Sequence, residues 1–412
     1  MPFDSSTRVR GLTPGRLAQP EFVAMLAFVF ATVAFSIDSM LPALPQIAAE
    51  LVPEDVNRAQ LVLTSFMVGL GVGTLGAGPL SDAFGRKAVI AAGFLIYIAG
   101  AMLAIVAPTM ETMLLARAIQ GFGAAAPRIV SQALVRDLYE GREMARILSF
   151  VNMLFILVPA AAPAMGMAII AVTGWRGVFG AFVVFGLVAL LWVALRQAET
   201  LPAAARRPMR AGPLLADARE AIGDRVVIIC TLTVALGFAQ MFALLSSAQQ
   251  LFVETYGVPP TAFPIWFAVM ALLSGSGAIV NARMVRRVGM RRMASAAYAA
   301  QIVIAAAVLL LMASAQVPEA LRFPLFFAWA LSLFLMAGIT FGNLNALALQ
   351  NMGHIAGTTS SVVSAISTLL AMAIAAPVGL LYDGTALPVV TAALICSTLA
   401  WLLLRRLGRP AA

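Results

Sequence analysis

Long apolar runs of about twenty residues, each closed by a short polar turn, succeed one another from residue 22 to residue 404 and leave the chain few choices of fold. A bilayer core about 30 Å thick is crossed by roughly 20 residues of helix. Inside it every backbone N–H and C=O must be paired within its own segment, which an α-helix achieves and an open strand does not. The runs read as spans at approximately 22–44, 60–80, 88–107, 112–133, 145–171, 176–196, 226–252, 262–284, 293–313, 321–348, 358–381 and 385–404. Charge agrees: 11% of the 412 residues are charged, against roughly 25% in soluble domains, and the mean hydropathy is +0.96. Soluble enzymes, fibrous repeats and disordered regulators are excluded. The expected fold class is an all-α polytopic membrane protein of twelve transmembrane helices.

A net charge of +9 raises the question of a nucleic-acid partner, and the placement of the charges answers it. Twenty-two of the 27 basic residues fall in alternate connections and at the two chain ends. They include Arg8, Arg10, Arg16, Arg86, Lys87, Arg136, Arg142, Arg146, the arginines of the 197–225 connection, and Arg283 to Arg292. The opposite connections hold Arg58, Arg176 and Arg322, while Arg117 and Arg128 lie inside a span. This is the positive-inside pattern. It predicts both termini on the cytoplasmic side and no nucleic acid. The first run is longer than the 7–15-residue core of a signal peptide and contains Asp38, so it is read as a retained helix. Cys230 and Cys396 sit in apolar runs as small hydrophobes, and with His354 they are too few for a metal site. No phosphate-binding G-x-x-x-x-G-K-[ST] loop is present. Neither catalysis nor a cofactor is expected, and the chain is not read as an enzyme.

The one long connection, 197–225, is rich in Pro, Ala and Arg. It divides the chain into an N-terminal segment (1–21), a six-helix half (22–196), a cytoplasmic linker (197–225), a second six-helix half (226–404) and a tail (405–412). The turn "GAGPLSDAFGRK" after the second span has a weak echo in "GAIVNARMVRRVGMRR" after the eighth. Paired six-helix halves point to a transporter built from repeats, with its substrate site near the midplane between them.

Several segments now carry a resemblance. "GPLSDAFGRK" (Gly78 to Lys87) is similar to the signature between helices 2 and 3 of the major facilitator superfamily, and "RAIQGFGAA" (Arg117 to Ala125) to the helix 4 motif of its proton-coupled drug exporters. "IDSMLPALPQIA", "VRDLYEGRE", "PAAAPAMG", "GWRGVFG" and "GHIAGTTSS" resemble the drug:proton antiporters that include bicyclomycin and chloramphenicol exporters. The resemblance implies the major facilitator fold, two halves rocking around a central cavity, and protons moving inward as amphipathic drugs move outward. The partners it implies are a small-molecule drug, protons and the bilayer, for a monomer in the bacterial inner membrane.

It also implies residue roles, beside which plainer readings stand. Gly85 permits the sharp turn out of helix 2. Asp82 is expected to face the start of helix 11, where Thr358, Thr359 and Ser360 offer capping hydroxyls, and Arg86 to pair with Asp137; with Gly78 these form a cytoplasmic latch, or Arg86 and Lys87 only enforce topology. Asp38 is the acidic residue well inside an apolar run, which makes it a functional-site hypothesis by default: it is the proton carrier, or it caps the outer end of helix 1 near Pro42. Arg117 lies at similar depth and tunes it, directly or not, or is a static ion-pair partner. Arg128 shares that helix face deeper toward the cytoplasm; it widens a polar pathway or snorkels inward. Pro159, Pro163 and Gly166 fit the helix 5 exporter motif, or are tolerated membrane residues. Asp38, Gln240, Phe242 and Asn343 are the candidate substrate contacts, with Met241, Ser246, Ser247, Met336 and Phe341 near them. A proton-coupled importer of a small solute is the rival on the same fold. His354 is read as a structural turn residue.

Overall fold

The computed structural model describes residues 17–206, 211–314 and 317–407. Arg8, Arg10, Arg16, Arg207, Arg210 and Arg409 of the charge pattern lie outside the described residues. The described chain is helical: α1 Gln19–Asp38, α2 Leu44–Leu51, α3 Leu61–Phe84, α4 Arg86–Ile105, α5 Met110–Leu138, α6 Gly141–Arg196, α7 Ala211–Gly223, α8 Arg225–Gln249, α9 Phe263–Val288, α10 Met290–Ala313, α11 Glu319–Leu349, α12 Ala356–Leu380 and α13 Leu387–Arg406. Among the described residues, ten helical stretches are long and apolar enough to cross a membrane. Helix α5 spans 29 residues, or about 44 Å at 1.5 Å per residue, but carries Glu111, Arg117 and Arg128. Helix α6 is two helices joined at Gly174, whose φ of 70° breaks the helical path.

Two departures from the expected spans have local causes. Helix α1 stops at Asp38 instead of running to residue 44, because Pro42 and Pro45 cannot supply the N–H groups that continued helix requires; a short 3-10 turn, Leu41–Ala43, leads into α2. The connection 197–225 is not a bare linker: it contains α7, which packs on α8 and α12.

The repeat echo is visible in the backbone. Gly85, between α3 and α4, has φ 99° and ψ 156°, and Gly289, between α9 and α10, has φ 88° and ψ 147°. Each lies in a region that only glycine adopts at low cost, so the two halves turn the same corner in the same way. Within the first half α5 packs on α3 and α4, and α6 on α1 and α4; in the second, α8 packs on α11, α12 and α13, and α10 on α11 and α13. The halves meet chiefly through α3 with α12 and α6 with α9. Between those two seams lies the space that matters for function.

Candidate functional site

A cavity of about 330 Å³ lies between the halves, lined by residues from both. Its walls are mostly apolar: Met67 and Leu70 from α3, Phe238, Met241 and Phe242 from α8, and Phe341 from α11. Phe238 and Phe341 meet edge to face, 4.4 Å between centroids. Among the described residues two charged ones face this space, Asp38 and Arg128. Asp38 is the last residue of α1 and 6% exposed. Arg128 is half-buried. Among the described residues neither makes a hydrogen bond or ion pair.

Arg117 does not pair with Asp38 in this structure. Its side chain is fully buried and spread over three helices. Nη1 donates to Gln120 Oε1 at 2.6 Å, Nη2 to the Ser36 carbonyl at 3.1 Å and Nε to the Val62 carbonyl at 3.3 Å. The guanidinium also lies 4.3 Å from the Phe66 ring centroid, a cation–π contact of the kind that gains strength when desolvated. Arg117 therefore touches the α1 backbone two residues before Asp38 rather than its carboxylate. Beside it the Ser36 hydroxyl and Tyr97 hydroxyl are 2.5 Å apart, tying α1 to α4.

At the face carrying the basic turns, Arg86 joins several groups. Its Nη1 donates to Asp82 and, at 2.7 Å, to Ser81 Oγ; Nε donates to Asp137 Oδ2 at 3.1 Å. Thr200 Oγ1 donates to the same Asp137 oxygen at 2.8 Å. A residue the sequence reading passed over completes the cluster: Glu199 accepts from the Arg86 and Lys87 backbone N–H groups at 2.9 and 3.1 Å. A carboxylate over free N–H groups complements the positive end of α4. A Cβ on Gly85 would stand 2.5 Å from that Glu199 carboxylate. Gly78 faces α12, where an added Cβ would lie 3.8 Å from Ser361 Oγ, ordinary contact.

Among the described residues Asp82 makes no hydrogen bond to the start of α12, bonding Arg86 instead, and the expected hydroxyl caps are not formed. The helix begins at Ala356 behind Ile355, with no side-chain cap bond. Thr358, Thr359 and Ser360 lie inside its first turns, and the Thr359 hydroxyl is buried without a partner. A cap must precede the first helical residue, and the turn at Gly353–Ile355 moves that point upstream of the threonines.

On α6, Pro159 lines the cavity and Pro163 is buried. Gly166 packs so tightly on the loop after Asp38 that an added Cβ would overlap the Ser39 carbonyl. The exporter-like segment thus sets the position of the chain beside the cavity acid.

Two proposed substrate contacts are corrected. Gln240 is buried on the other side of α8: its Nε2 donates to the Leu236 carbonyl and its Oε1 accepts from Ser397 on α13, 3.0 Å away. Asn343 donates to Asn281 on α9 at 2.7 Å. Neither lines the cavity, whereas Phe242, Met241, Phe341 and Asp38 do. One residue along a helix is a 100° rotation, so correct depth did not place Gln240 on the correct face. Met336 is buried off the cavity.

Ser246 donates to the Ala243 carbonyl of its own helix at 3.1 Å, and Ser247 belongs to a different feature. On the face opposite the basic turns, Gln60 Nε2 donates to Gln250 Oε1 at 2.5 Å, Ser247 Oγ to Gln60 Oε1 at 3.0 Å, and Gln250 Nε2 to Asn57 Oδ1 at 3.1 Å. Asn57 Nδ2 donates to the Tyr382 and Leu380 carbonyls at 2.9 and 3.3 Å. Among the described residues every hydrogen bond between the halves lies in this clamp. The signal for it was present as amides at the ends of spans in both halves. Elsewhere, His354 Nε2 is 2.7 Å from Glu220 of α7, and Cys230 and Cys396 are free and buried.

Comparison with known proteins bears on this arrangement. The Major Facilitator Superfamily profile matches residues 26–376. The chain is 30% identical over 383 residues to an uncharacterised transporter of that type, YdgK of Bacillus subtilis, covering 90% of this chain and 91% of the relative. It is 29% identical to a bicyclomycin resistance protein homolog of Haemophilus influenzae (68% of this chain, 70% of the relative). It is 32% identical to a chloramphenicol resistance protein of Pseudomonas aeruginosa (57% and 55%). Among solved structures, a bacterial homolog of the human lysosomal transporter Spinster, inward-facing and unoccupied, aligns at TM-score 0.73 with 15% identity, covering 96% of this chain and all of that one. The xylose transporter XylE of E. coli, in a partially occluded inward-open form, aligns at TM-score 0.72 and 12% identity (95% and 98%). The chain is a multi-pass membrane transporter, and it belongs to the Major Facilitator Superfamily.

Proposed function

We propose that this transporter exports amphipathic small molecules, antibiotics among them, from the cytoplasm across the bacterial inner membrane in exchange for protons. The observation that carries the reading is Asp38, an unpartnered carboxylate facing a mostly apolar cavity between the halves. An acid in such a place is costly to keep unless it serves the transport cycle. Apolar and methionine-bearing walls accommodate varied amphipathic ligands, and the resistance names of the relatives point the same way. Twelve crossings, with α5 and the first limb of α6 added to the ten most apolar stretches, put the basic turns and both chain ends in the cytoplasm by the positive-inside rule.

In that orientation the Asn57–Gln60–Ser247–Gln250 clamp closes the outer face, and the cavity belongs to an inward-facing stage of the cycle. Asp82, free of α12 here, returns to that helix start when the inner face closes; Arg86, Asp137 and Gly78 hold the inner corner of the first half. Arg117 acts on Asp38 through the α1 backbone at Ser36, holding the segment that carries the acid. Drug and proton exchange because each binds better to one protonation state of Asp38.

The test uses everted vesicles with an imposed proton gradient, wild type against Asp38→Asn, with lumenal pH followed as drugs are added. A drug that dissipates the gradient in wild type and not in the mutant is the expected result. Equal responses remove Asp38 from coupling. No response to any drug, with solute uptake by whole cells, replaces export by import of a small solute.

A further inference from the structure

Arg128 has no role in the reading above, yet it shares the cavity with Asp38. Its position decides what it can do. Leu138 ends α5 ten residues later, about 15 Å along the axis, and Arg128 stands on the lining of the cavity between the halves. Asp137, on the same helix toward that end, is engaged by Arg86 and Thr200. Among the described residues no carboxylate or carbonyl accepts from Arg128. What remains in front of it is the cavity, with Phe238, Met241 and Phe341 on the wall contributed by the second half.

We infer that Arg128 selects the class of substrate: an amphipathic molecule, neutral or anionic, that presents an oxygen acceptor such as a carboxylate, nitro group or amide carbonyl, and not a lipophilic monocation. The inference deepens the export reading and rests on its placement of the ligand in this cavity. An empty cavity lets water satisfy the guanidinium. A ligand that fills the cavity removes that water, and a buried guanidinium left without an acceptor is heavily penalised. An oxygen placed at Arg128 restores a charge-assisted hydrogen bond, while the apolar body rests on the aromatic wall. A monocation meets a like charge in a poorly screened space. Among the described residues the lining carries one acid and one base, so the cavity is electrically balanced with Asp38 ionised and positive with Asp38 protonated; in neither state is it the electronegative site that a cation requires.

The test is binding to the purified full chain in detergent at neutral pH, by calorimetry, with three probes that share one body: biphenyl-4-carboxylate, biphenyl-4-carboxamide and biphenyl-4-methylammonium. The carboxylate and carboxamide are expected to bind at least about tenfold more tightly than the ammonium. Arg128→Gln is expected to erase that order and Arg128→Lys to keep it for the carboxylate. An ammonium that binds wild type as tightly as the carboxylate, or an order that survives Arg128→Gln, overturns the inference; so does the absence of binding by all three probes. If Arg128→Gln does not fold, the wild-type order and Arg128→Lys decide. Because binding is read without a gradient, a correct order with no flux in proteoliposomes sinks the export reading and leaves the selectivity standing, whereas drug-driven proton flux with no charge order does the reverse.

Discussion

Removing the Gln60 side chain is expected to open the face opposite the basic turns. Gln60 makes two of the hydrogen bonds that join the halves there, donating to Gln250 and accepting from Ser247. At about 0.5–1.5 kcal/mol net for each, their loss costs the closed state roughly 1–3 kcal/mol, which corresponds to about 5- to 150-fold in the equilibrium between closed and open. Gln250 keeps its bond to Asn57, and Asn57 keeps its two carbonyl acceptors. The clamp is weakened rather than abolished, so the lower part of that range, about tenfold, is the expectation. The assay is cysteine accessibility. Met241→Cys places a thiol on the cavity wall in a background where Cys230 and Cys396 are replaced by Ser and Ala, and a membrane-impermeant maleimide is added from the clamp side. If opening is fast relative to labelling, the rate follows the open population, and Gln60→Ala labels about tenfold faster than its parent. Gln249→Ala is the control, because the buried Gln249 Oε1 has no partner and Gln249 joins nothing across the clamp. A Gln60→Ala rate within about twofold of the parent, in protein of unchanged thermal midpoint, would refute the claim that these bonds hold the face closed.

Three further outcomes follow from the geometry. Gly166→Ala forces a methyl onto the Ser39 carbonyl and should lower stability by about 1–3 kcal/mol, as overpacking does; an unchanged thermal-unfolding midpoint would contradict the close approach. Gly85→Ala adds backbone strain at φ 99°, about 1–3 kcal/mol, plus a clash with Glu199, so Glu199→Ala should recover part of the lost midpoint. Arg117→Lys keeps the charge but not the fork that reaches the Ser36, Val62 and Gln120 oxygens; the loss of even one such bond to a charged group costs about 1.5–3 kcal/mol, and a midpoint equal to wild type would show that the fork is not structural.

How much of this was legible beforehand depends on range. The Arg86–Asp137 pair was expected from the family resemblance, whereas Asp82, expected at the start of helix 11, contacts Arg86 four residues on instead. The second glycine corner at Gly289 was readable from the repeat. The cavity contacts were not. Gln240 and Met241 are neighbours in sequence with equal claims by depth, yet one ties α8 to α13 and the other faces the cavity. Asp38 and Arg117 were matched in depth, and the helix rotations send the arginine to carbonyls instead. For Arg128 two readings were open, and the rotation that sets it on the cavity lining is not written in the sequence.

The amino-acid sequence by itself determined the long apolar helices, their order and the face on which the basic turns gather, because the bilayer demands long apolar runs and the positive-inside rule marks their ends. The tertiary structure alone decided which face of each helix looks into the cavity, that Asp38 and Arg128 share it unpaired, and that Gln60 and Gln250, 190 residues apart, meet across the halves. The reason is physical. Lipid is as apolar as a packed protein interior, so a membrane helix is hydrophobic on every side and carries little amphipathic record of which side its partners occupy.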